Sequence, residues 1–448
     1  MLCAADLALV ERDRQLPGLA TLLDDDAMLA RLRSAGYAAA AIASTYLRYK
    51  PHTNCLVAYT VTSPGQHQPC CLYGKAYPLD RVEKLAKYQR MGQRARDSHL
   101  PPMVVDALGL AIAPFPLDRE LRSVAQLLNS ATRPKVCRKL LALEPDEAIA
   151  GEISLTTLNY KPERRYVGGL NVGADPSQRW VVKAYTQDDY DTARRNSRDI
   201  CSGEVLAVAP LLGRSHRYQM LAFPWVEGQP LETAMQGDIS TVHSTLQRVG
   251  VALGELHQQR LKRLQPMSCA AEALDVMELV SDLCYLQPSL AGRFKSLSRA
   301  IAEGLVHLPQ QWHSTHGDFK PDQVLVKGDR ITLLDFDRAA RAHPARDLGS
   351  FLAQLDYQHL GGCLDDPRRR AAAAGLLQGY ATQGTAPDPD TLRLYTALHL
   401  FKLLPEPFRY RAPDWPTRME KLLHRIEGIL QREEVGGRCE GWGVGSGE

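Results

Sequence analysis

Two short segments decide how this sequence is interpreted. Residues 316–326 read HGDFKPDQVLV, and residues 333–338 read LLDFDR. In each segment a short apolar run, rich in Val and Leu and typical of a strand, adjoins an aspartate. A Gly-Asp pair at 328–329 favours a turn between the two runs. The sequence therefore predicts a hairpin with Asp318 in the loop that enters it and Asp335 at its far end.

The polar residues of this predicted hairpin suit phosphoryl transfer. That chemistry needs a carboxylate that accepts or orients the proton of a hydroxyl group, oxygen ligands for magnesium, and a lysine that positions the triphosphate. Asp318 supplies the first, and Asp335 with the amide oxygen of Gln323 supplies the second. Lys183 supplies the third, because it is the one cation in the apolar strand predicted at 180–185 and a phosphate partner would explain its charge.

These motifs resemble those of the aminoglycoside phosphotransferase and choline kinase-like family, which has the protein-kinase-like fold. The family reads H-G-D-x-x-x-x-N, followed by a D-F/W-[DE] segment after a hydrophobic run, and the resemblance covers about residues 150–410. It implies an α+β chain in two lobes, a β-rich N-lobe and a helical C-lobe. It also implies the use of ATP and Mg²⁺, with Asp318 as the catalytic base, Asp335 as a metal ligand and Lys183 on the α- and β-phosphates.

The resemblance further assigns supporting and nucleotide-binding positions. His316 is expected to brace the catalytic loop, and Asp347, in ARDLG at 345–349, is expected to bond the backbone of that loop. FPWVEG at 223–228 resembles the family's hinge. Three hinge residues are therefore expected to meet adenine through their backbone groups: Trp225, Val226 and Glu227.

Two positions depart from the family pattern or stay open. Gln323 stands where the family has asparagine, and its side chain is one methylene longer. Magnesium at Gln323 could therefore be displaced, or be held through a water molecule. Three acids are candidates for the partner of Lys183: Asp191, Asp199 and Glu204.

The strand expected to cover the phosphates lacks the glycine-rich pattern of protein kinases. In its place, residues 160–165 read YKPERR. Lys161 and Arg165 could bind the triphosphate with side-chain cations in place of backbone amides. The alternative is that these cations are solvated charges on a hairpin.

The N-terminal part contains an internal repeat. YLRYKP at 46–51 corresponds to TLNYKP at 157–162, and GKAY at 74–77 corresponds to VKAY at 182–185, so that Lys75 matches Lys183. Further along, APFPL echoes AFPWV. Matching blocks in the same order indicate a duplicated lobe rather than a chance likeness between hairpins, and the extra N-terminal region resembles that of maltokinase-like proteins.

Four segments are predicted from this organisation. Residues 1–130 form a degenerate N-lobe-like repeat with a cap or regulatory role, and residues 131–230 form the kinase N-lobe with the lysine and the hinge. Residues 231–432 form the helical C-lobe with the catalytic loop and the acceptor site. Residues 433–448 are rich in glycine and are predicted to be a disordered tail.

Composition limits the function classes. The net charge is +3, from 54 basic and 51 acidic residues, which gives no indication of a nucleic-acid or membrane partner. No apolar run reaches the roughly 18 residues of a membrane span, and the N-terminus lacks the features of a signal peptide. We therefore expect a cytoplasmic enzyme.

The acceptor is expected to be a small molecule. Protein kinases usually carry H-R-D and A-P-E segments, and neither occurs in this sequence. A small-molecule kinase acting on a hydroxyl group of a sugar, an aminoglycoside or an amino alcohol fits better. The alternative is a nucleotide-binding pseudokinase with a regulatory role, which the Gln323 change would favour.

Overall fold

The computed structural model describes residues 2–65, 69–94, 101–142, 153–173, 179–384 and 387–431. These residues fall into two compact units. The first lies within residues 1–190, 212–222 and 406–416, and the second within 191–211, 223–405 and 417–448. The tail predicted at 433–448 lies outside the described residues.

The helices and strands alternate in the N-terminal half and become mainly helical afterwards, which agrees with the predicted α+β class. The elements up to residue 142 are α1 (Ala4–Arg12), α2 (Leu19–Leu23), α3 (Asp25–Ser34), β1 (Ala41–Lys50), β2 (Asn54–Thr62), β3 (Cys70–Ala76), α4 (Val82–Arg94), β4 (Met103–Val105), β5 (Leu110–Pro114), α5 (Val124–Leu128) and α6 (Arg133–Leu141). Those from 153 to 224 are β6 (Ile153–Lys161), β7 (Arg165–Val172), β8 (Arg179–Tyr185), α7 (Gln187–Asn196), β9 (Leu206–Val208), β10 (Gly213–Ser215) and β11 (Met220–Pro224).

The remaining elements belong to the C-terminal half. They are β12 (Gln229–Pro230), α8 (Leu231–Ala234), α9 (Ile239–Gln258), α10 (Cys269–Leu286), α11 (Ala291–His307), β13 (His313–Thr315), β14 (Val324–Lys327), β15 (Arg330–Leu333), β16 (Ala340–Ala342), α12 (Ala345–Leu360), α13 (Asp366–Ala381), α14 (Pro389–Leu403), α15 (Glu406–Arg409) and α16 (Trp415–Leu430). No described helix combines the length and the apolar character that crossing a membrane requires.

Two five-stranded sheets have the same strand order. The first sheet runs β1-β2-β3-β5-β4, and the second runs β6-β7-β8-β11-β10. Each opens with an antiparallel hairpin that contains one register shift, between Ser44 and Tyr46 in the first sheet and between Thr157 and Asn159 in the second. This agreement is what duplication of one lobe produces.

In the first copy an aspartate ahead of the sheet holds the tip of the opening hairpin. Asp13 Oδ2 accepts hydrogen bonds from the Tyr49 hydroxyl at 2.6 Å and from the His52 backbone N–H at 3.0 Å. His52 has a left-handed φ of 58°, a conformation that frees its N–H to point at the carboxylate. One buried acid therefore fixes both a strand end and the turn.

The second copy repeats this arrangement. Asp118 Oδ2 accepts from the Tyr160 hydroxyl and from the Glu163 backbone N–H, both at 2.7 Å. Glu163 has a φ of 54°, close to that of its counterpart His52. The tip of the β6–β7 hairpin is thus held as firmly as that of the first copy.

Residues ahead of the boundary predicted at 130 and 131 also pack under the second sheet. Leu121, Val124 and Leu127 are buried in the apolar core under the second sheet, together with Tyr166 and Val182. DRQLPGLATLL at 13–23 and DRELRSVAQLL at 118–128 are a further repeated block. This block was not among the repeated motifs of the sequence analysis, and it places the start of the second copy near Asp118.

The last part of the chain contributes to the first unit. Arg411 forms two hydrogen bonds with the carboxylate of Asp6 on α1, at 2.8 and 3.2 Å, and the Trp415 indole N–H donates to the same carboxylate at 3.2 Å. Trp415 and Phe408 are buried and their rings lie 5.1 Å apart. Residues near 410 therefore complete the packing of the N-terminal helix.

The second unit has a helical core into which two aromatic residues project from loops. Helix α9 presents apolar residues spaced three and four positions apart, and their burial accounts for its length. Phe319 and Phe336 are buried in the same core. Each directly follows an aspartate, Asp318 or Asp335, so burial of the rings fixes the loops while the carboxylates stay at least partly exposed.

Candidate active site

The predicted hairpin is present and brings Gln323 beside the residue that precedes Asp335. Strands β14 and β15 pair antiparallel, with Val324 opposite Leu333. One step beyond that pair, the Leu334 N–H donates to the Gln323 carbonyl at 2.8 Å. Gln323 and Asp335 therefore leave the open end of one hairpin as neighbours.

The catalytic loop is bound through its backbone by Asp347. The N–H of His316 donates to Asp347 Oδ2 at 2.6 Å, and the N–H of Gly317 donates to Oδ1 at 2.9 Å. Asp347 lies in the first turn of α12 and is fully buried. Both carboxylate oxygens are thus used to hold the loop one residue before Asp318.

A buried histidine keeps Asp347 ionised. His257 Nε2 lies 3.0 Å from Asp347 Oδ2, and its Nδ1 lies 2.9 Å from the Tyr380 hydroxyl. Burial by itself would raise the pKa of Asp347, but the hydrogen bond and the charge of His257, with weaker contributions from His316 and Arg346, lower that pKa to about 2. The carboxylate therefore accepts hydrogen bonds across the ordinary pH range.

His316 ties the catalytic loop to the end of the hairpin. Its Nε2 donates to the Leu334 carbonyl at 2.8 Å, since a carbonyl can only accept, and its Nδ1 accepts the Asp318 N–H at 3.4 Å. Its ring lies 4.8 Å from that of Phe336. This contact pattern suits the brace expected of His316, which spans the two loops that carry Asp318 and Asp335.

Gly317 permits a close crossing of two loops. Its φ is +80°, and a Cβ at this position would stand 2.0 Å from the carbonyl oxygen of Arg338. No side chain fits there. The loop after Asp335 therefore passes directly over the backbone of the catalytic loop.

The final residue of α7 secures the segment that follows Asp335. The Asn196 amide donates to the carbonyls of Asp337 at 3.1 Å and Ala339 at 2.9 Å. Asn196 is 3% exposed, so these bonds are shielded from water. The loop after β15 is therefore fixed at both ends, by His316 on one side and Asn196 on the other.

Asp318 differs from its neighbours in being accessible. Its side chain is 36% exposed, whereas His316, Gly317 and Phe319 are buried. Lys320 Nζ lies 3.9 Å from Asp318 Oδ2 and 3.1 Å from Asp322 Oδ2. The arrangement presents one carboxylate, with a cation beside it, from a loop whose backbone cannot move freely.

The donor set at the open end of the hairpin fits a hard metal ion bound together with phosphates. Asp335 adopts a left-handed φ of 67°, an uncommon backbone conformation for aspartate that reorients its side chain at the strand end. Within the described residues, no cluster of three or more His, Cys, Asp or Glu side chains could hold a metal ion. One carboxylate and one amide oxygen match magnesium, which usually keeps few protein ligands and completes its shell with phosphate and water.

The residues predicted to bind the nucleotide are distributed over both units. Lys183 lies in β8 of the first unit, opposite Val167 of β7, and is half-buried. The segment predicted to be the hinge runs from the end of β11 to β12, and Gly228 packs closely on β14, since a Cβ there would stand 3.0 Å from Leu325 Cβ. Of the three acids considered for Lys183, only Asp191 lies on α7. Asp199 is past the end of that helix and pairs with Arg263 at 3.3 Å.

The family comparison decides the class of protein. The family model described as "Phosphotransferase enzyme family" matches residues 171–395, which is half of the chain and includes both Lys183 and the catalytic loop. The chain belongs to this phosphotransferase family. The predicted kinase class of enzyme is thereby confirmed, and so is the predicted resemblance to aminoglycoside phosphotransferases.

The phosphotransferase is also similar to several solved structures. Aminoglycoside phosphotransferase APH(4)-Ia is 12% identical with a TM-score of 0.49, and the match covers 69% of this chain and 100% of that chain. The GDP and kanamycin complex of APH(2")-IIia is 18% identical with a TM-score of 0.48, over 66% and 98% of the two chains. Choline kinase from Cryptosporidium parvum Iowa II is 12% identical with a TM-score of 0.47, over 68% and 96%. The comparison of this chain with curated proteins found no match.

Two residues that position the loops of this phosphotransferase were not predicted. They are Asn196 and His257, and neither is among the residues that the sequence motifs assign to the site. The place of His257 in the sequence LGELH on α9 could have indicated its role, because a buried histidine facing the catalytic loop needs a polar partner. Asn196 left no such signal, since its two acceptors are backbone carbonyls more than 140 positions away.

Proposed function

We propose that this phosphotransferase moves the γ-phosphoryl group of ATP to a hydroxyl group of a small molecule, with Asp318 as the catalytic base. The observation that carries the proposal is the fixed relation between two loops. Asp347 holds the loop that presents Asp318, and His316 ties that loop to the strand end that presents Asp335. Phosphoryl transfer is catalysed mainly by such positioning and by charge stabilisation.

Asp318 would accept the proton of the acceptor hydroxyl or orient that hydroxyl toward the phosphorus. Its exposure lets an acceptor approach, and its bound backbone keeps the carboxylate in place without cost at the moment of reaction. Lys320 Nζ lies 3.9 Å from the Asp318 carboxylate. His316 and Asp347 touch neither reactant in this scheme and act as positioning residues.

Asp335 and Gln323 would hold Mg²⁺, through one carboxylate and one amide oxygen. The ion, when bound, neutralises charge on the phosphate oxygens. The left-handed backbone at Asp335 and the hydrogen bonds of Asn196 keep the carboxylate at the strand end. The backbone of Gln323 is held because its carbonyl accepts the Leu334 N–H. The length of the Gln323 side chain, one methylene more than that of asparagine, therefore determines how far its amide oxygen reaches toward the ion.

Nucleotide binding would draw on the second copy of the lobe and on the hinge. Lys183 on β8 is proposed to contact the α- and β-phosphates, and Lys161 and Arg165 to lie over the triphosphate. Backbone groups of three hinge residues are proposed to meet adenine: Trp225, Val226 and Glu227. The proposed acceptors are a sugar, an aminoglycoside or an amino alcohol.

The experiment is a screen for ADP release in the presence of Mg²⁺, with a panel of those three acceptor classes. Wild type is compared with Asp318→Ala and with Asp329→Ala, which removes an exposed acid from the turn of the same hairpin. Asp318→Ala should lower kcat by at least about 100-fold and leave nucleotide affinity within about twofold. Asp329→Ala should keep the wild-type rate.

Undiminished turnover in Asp318→Ala would refute the assignment of the base. Nucleotide binding by wild type without turnover on the whole panel would instead favour a regulatory pseudokinase. Substitution of Lys183 by Ala separates binding from chemistry, since it should weaken nucleotide binding as well as the rate.

A further inference from the structure

A carboxylate from the second copy of the lobe is buried inside the first copy. Glu163, at the tip of the β6–β7 hairpin, forms an ion pair with Lys75 on β3 and accepts a hydrogen bond from the Tyr88 hydroxyl on α4 at 2.6 Å. Arg119 Nε lies 3.4 Å from the same carboxylate. The Glu163 side chain is only 3% exposed. Two cations and a phenol therefore enclose one acid.

The backbone of the tip is held as well. Arg48 of β1 donates to the Pro162 carbonyl at 2.8 Å, and the Glu163 N–H donates to Asp118. Lys161 Nζ lies 5.4 Å from the centre of the Tyr46 ring. The tip of the hairpin is thus bound by two residues of β1 in the first copy and by Asp118 at the start of its own copy.

The charges at this contact are complementary. Burial alone would raise the pKa of Glu163, but the charges of Lys75 and Arg119 lower it, so that the carboxylate is ionised. Burial lowers the pKa of Lys75, and Glu163 opposes that change. Removing one member of such a pair leaves a charge buried without compensation, which makes the pair a strong constraint on the hairpin.

The repeat gives this contact its significance. Lys75 is the counterpart of Lys183, and Tyr88 on α4 is the counterpart of Asn196 on α7. The lysine of the first copy is therefore at the position that would bind phosphate in a nucleotide-binding lobe. An internal carboxylate occupies it, so an external phosphate would have to displace Glu163.

The β6–β7 hairpin needs such support. Strand β6 is the edge strand of its sheet, and a hairpin tip at a sheet edge opens readily unless tertiary contacts hold it. This hairpin lacks the glycine-rich backbone that can wrap phosphates, so any contact it makes with nucleotide depends on where Lys161 and Arg165 are placed. Glu163 lies between those two residues.

We propose that the first copy is a receptor for the β6–β7 hairpin, in which Lys75 and Tyr88, assisted by Arg119 at the start of the second copy, bind Glu163 and thereby position the hairpin for nucleotide binding. The first copy then has no nucleotide of its own at Lys75. This inference rests on the proposed function, because the position of the hairpin matters to catalysis only when nucleotide phosphates bind beneath it. Lys75 and Glu163 are positioning residues in this scheme.

The test uses the full chain with Lys75→Met, Glu163→Gln, the double variant, and Lys75→Arg as the conservative replacement. Lys87→Met, an exposed lysine on α4, is the matched control. Hydrogen exchange followed by mass spectrometry reports on residues 160–166, and titration calorimetry gives the Kd for Mg-ATP. Thermal unfolding checks folding, and Glu163→Gln, which can keep the Tyr88 hydrogen bond, carries the test if Lys75→Met does not fold.

We expect the hairpin amides to exchange at least about tenfold faster in both single variants and Mg-ATP to bind at least about fivefold more weakly. The double variant should exchange no faster than the single ones, because each single change already breaks the contact and the double change leaves neither member of the pair charged. Lys75→Arg should recover part of the affinity, and Lys87→Met should match wild type.

Unchanged hairpin exchange would overturn the proposal, and so would faster exchange with an unchanged Kd. Failure of the proposed function has a different signature, which is the absence of phosphoryl transfer by wild type over the acceptor panel. If wild type binds no nucleotide, the proposed function fails, while the exchange rates still decide whether Lys75 holds the hairpin.

Discussion

Asp347 accepts the backbone N–H of His316 at 2.6 Å from a position that water does not reach. The acid is on α12 and the amide is in the loop that presents Asp318, so a helix rather than the loop itself sets the position of the loop. The link is stronger than a neutral hydrogen bond, because the acceptor is charged and His257 supports it.

Asp347→Ala should therefore cost both stability and activity. Two loop amides and His257 would lose a buried hydrogen-bond acceptor, which should lower the free energy of unfolding by about 3 kcal/mol or more. Asp356→Ala is a matched control, because Asp356 is another buried acid of α12, bound by Arg369 and Arg425. Urea unfolding measures the stability of each variant. The kcat values are measured under conditions below the midpoints of both unfolding transitions, where both variants are folded. We expect the two variants to be destabilised to a similar extent and only Asp347→Ala to lose most of its kcat. Equal losses of kcat in both variants would refute the positioning role of Asp347.

Gly317→Ala tests the crossing of the two loops. The new Cβ would clash with the Arg338 carbonyl at 2.0 Å, and the left-handed φ adds strain. Gly328→Ala is the control, since it has a φ of +57° but no atom within 4 Å of the added Cβ. The control should lose only about 1 kcal/mol of stability and keep its rate, whereas Gly317→Ala should lose most phosphoryl transfer. A fully active Gly317→Ala protein would mean that the loops can separate without consequence.

The proposed metal site predicts how the rate depends on magnesium. Gln323→Ala should raise the Mg²⁺ concentration needed for half-maximal rate by about tenfold, while Gln323→Asn, which restores the family's residue, should keep it near the wild-type value. Asp329→Ala at the hairpin turn should leave it unchanged. The measurement is initial rate against free Mg²⁺ at saturating ATP. Identical magnesium curves for Gln323→Ala and wild type would exclude Gln323 as a ligand.

The surroundings of His343 predict that the folded protein loses stability in mild acid. Its Nδ1 accepts the N–H of Ala345, the first residue of α12, at 3.2 Å, and its ring stacks on Tyr395. Burial, then the charges of His313 and His257, lower the pKa of His343 to about 4, against the opposing charge of Asp388. The unfolded chain, with a pKa near 6.5 for this residue, binds the proton more readily. Stability is therefore present above about pH 6.5 and is lost as the pH falls toward 4, by at most about 3 kcal/mol from this residue.

His343→Asn should flatten that dependence, because an asparagine oxygen can accept from Ala345 without titrating. Urea unfolding between pH 4 and 7 provides the measurement. His307→Asn replaces an exposed histidine and should keep the wild-type slope. An unaltered slope in His343→Asn would show that protonation occurs elsewhere.

The hairpin with Asp318, Gln323 and Asp335 could be predicted because its information is local. The apolar runs of both strands lie within a few residues of the motif positions, and the Gly-Asp pair at 328–329 between them indicates the turn. The internal repeat is encoded in similarly local blocks, of which the strand motifs predict a boundary at 130 and 131 and the block at 118–128 lies ahead of it.

The contacts that position the site could not be predicted, since they join residues far apart in the chain. Nothing near Asn196 indicates that its side chain will bind carbonyls after Asp335. In YKPERR the two flanking cations drew attention as phosphate ligands, yet the acid between them makes the buried contact. Sequence shows which side chains carry charge, but the partner of Glu163 lies 88 positions away and only the fold brings it close.

The pairing of Asp6 with Arg411 and Trp415 has a consequence for synthesis of the protein. The partners are separated by 405 and 409 positions. At about 5 to 20 residues per second, a ribosome needs about 20 to 80 s to make the intervening chain. During that time the N-terminal helix has been released from the ribosome but its buried acid has no native partner. Helix α1 is made long before Arg411 and Trp415, so its buried acid reaches its final pairing late, and a chaperone could shield it in the meantime.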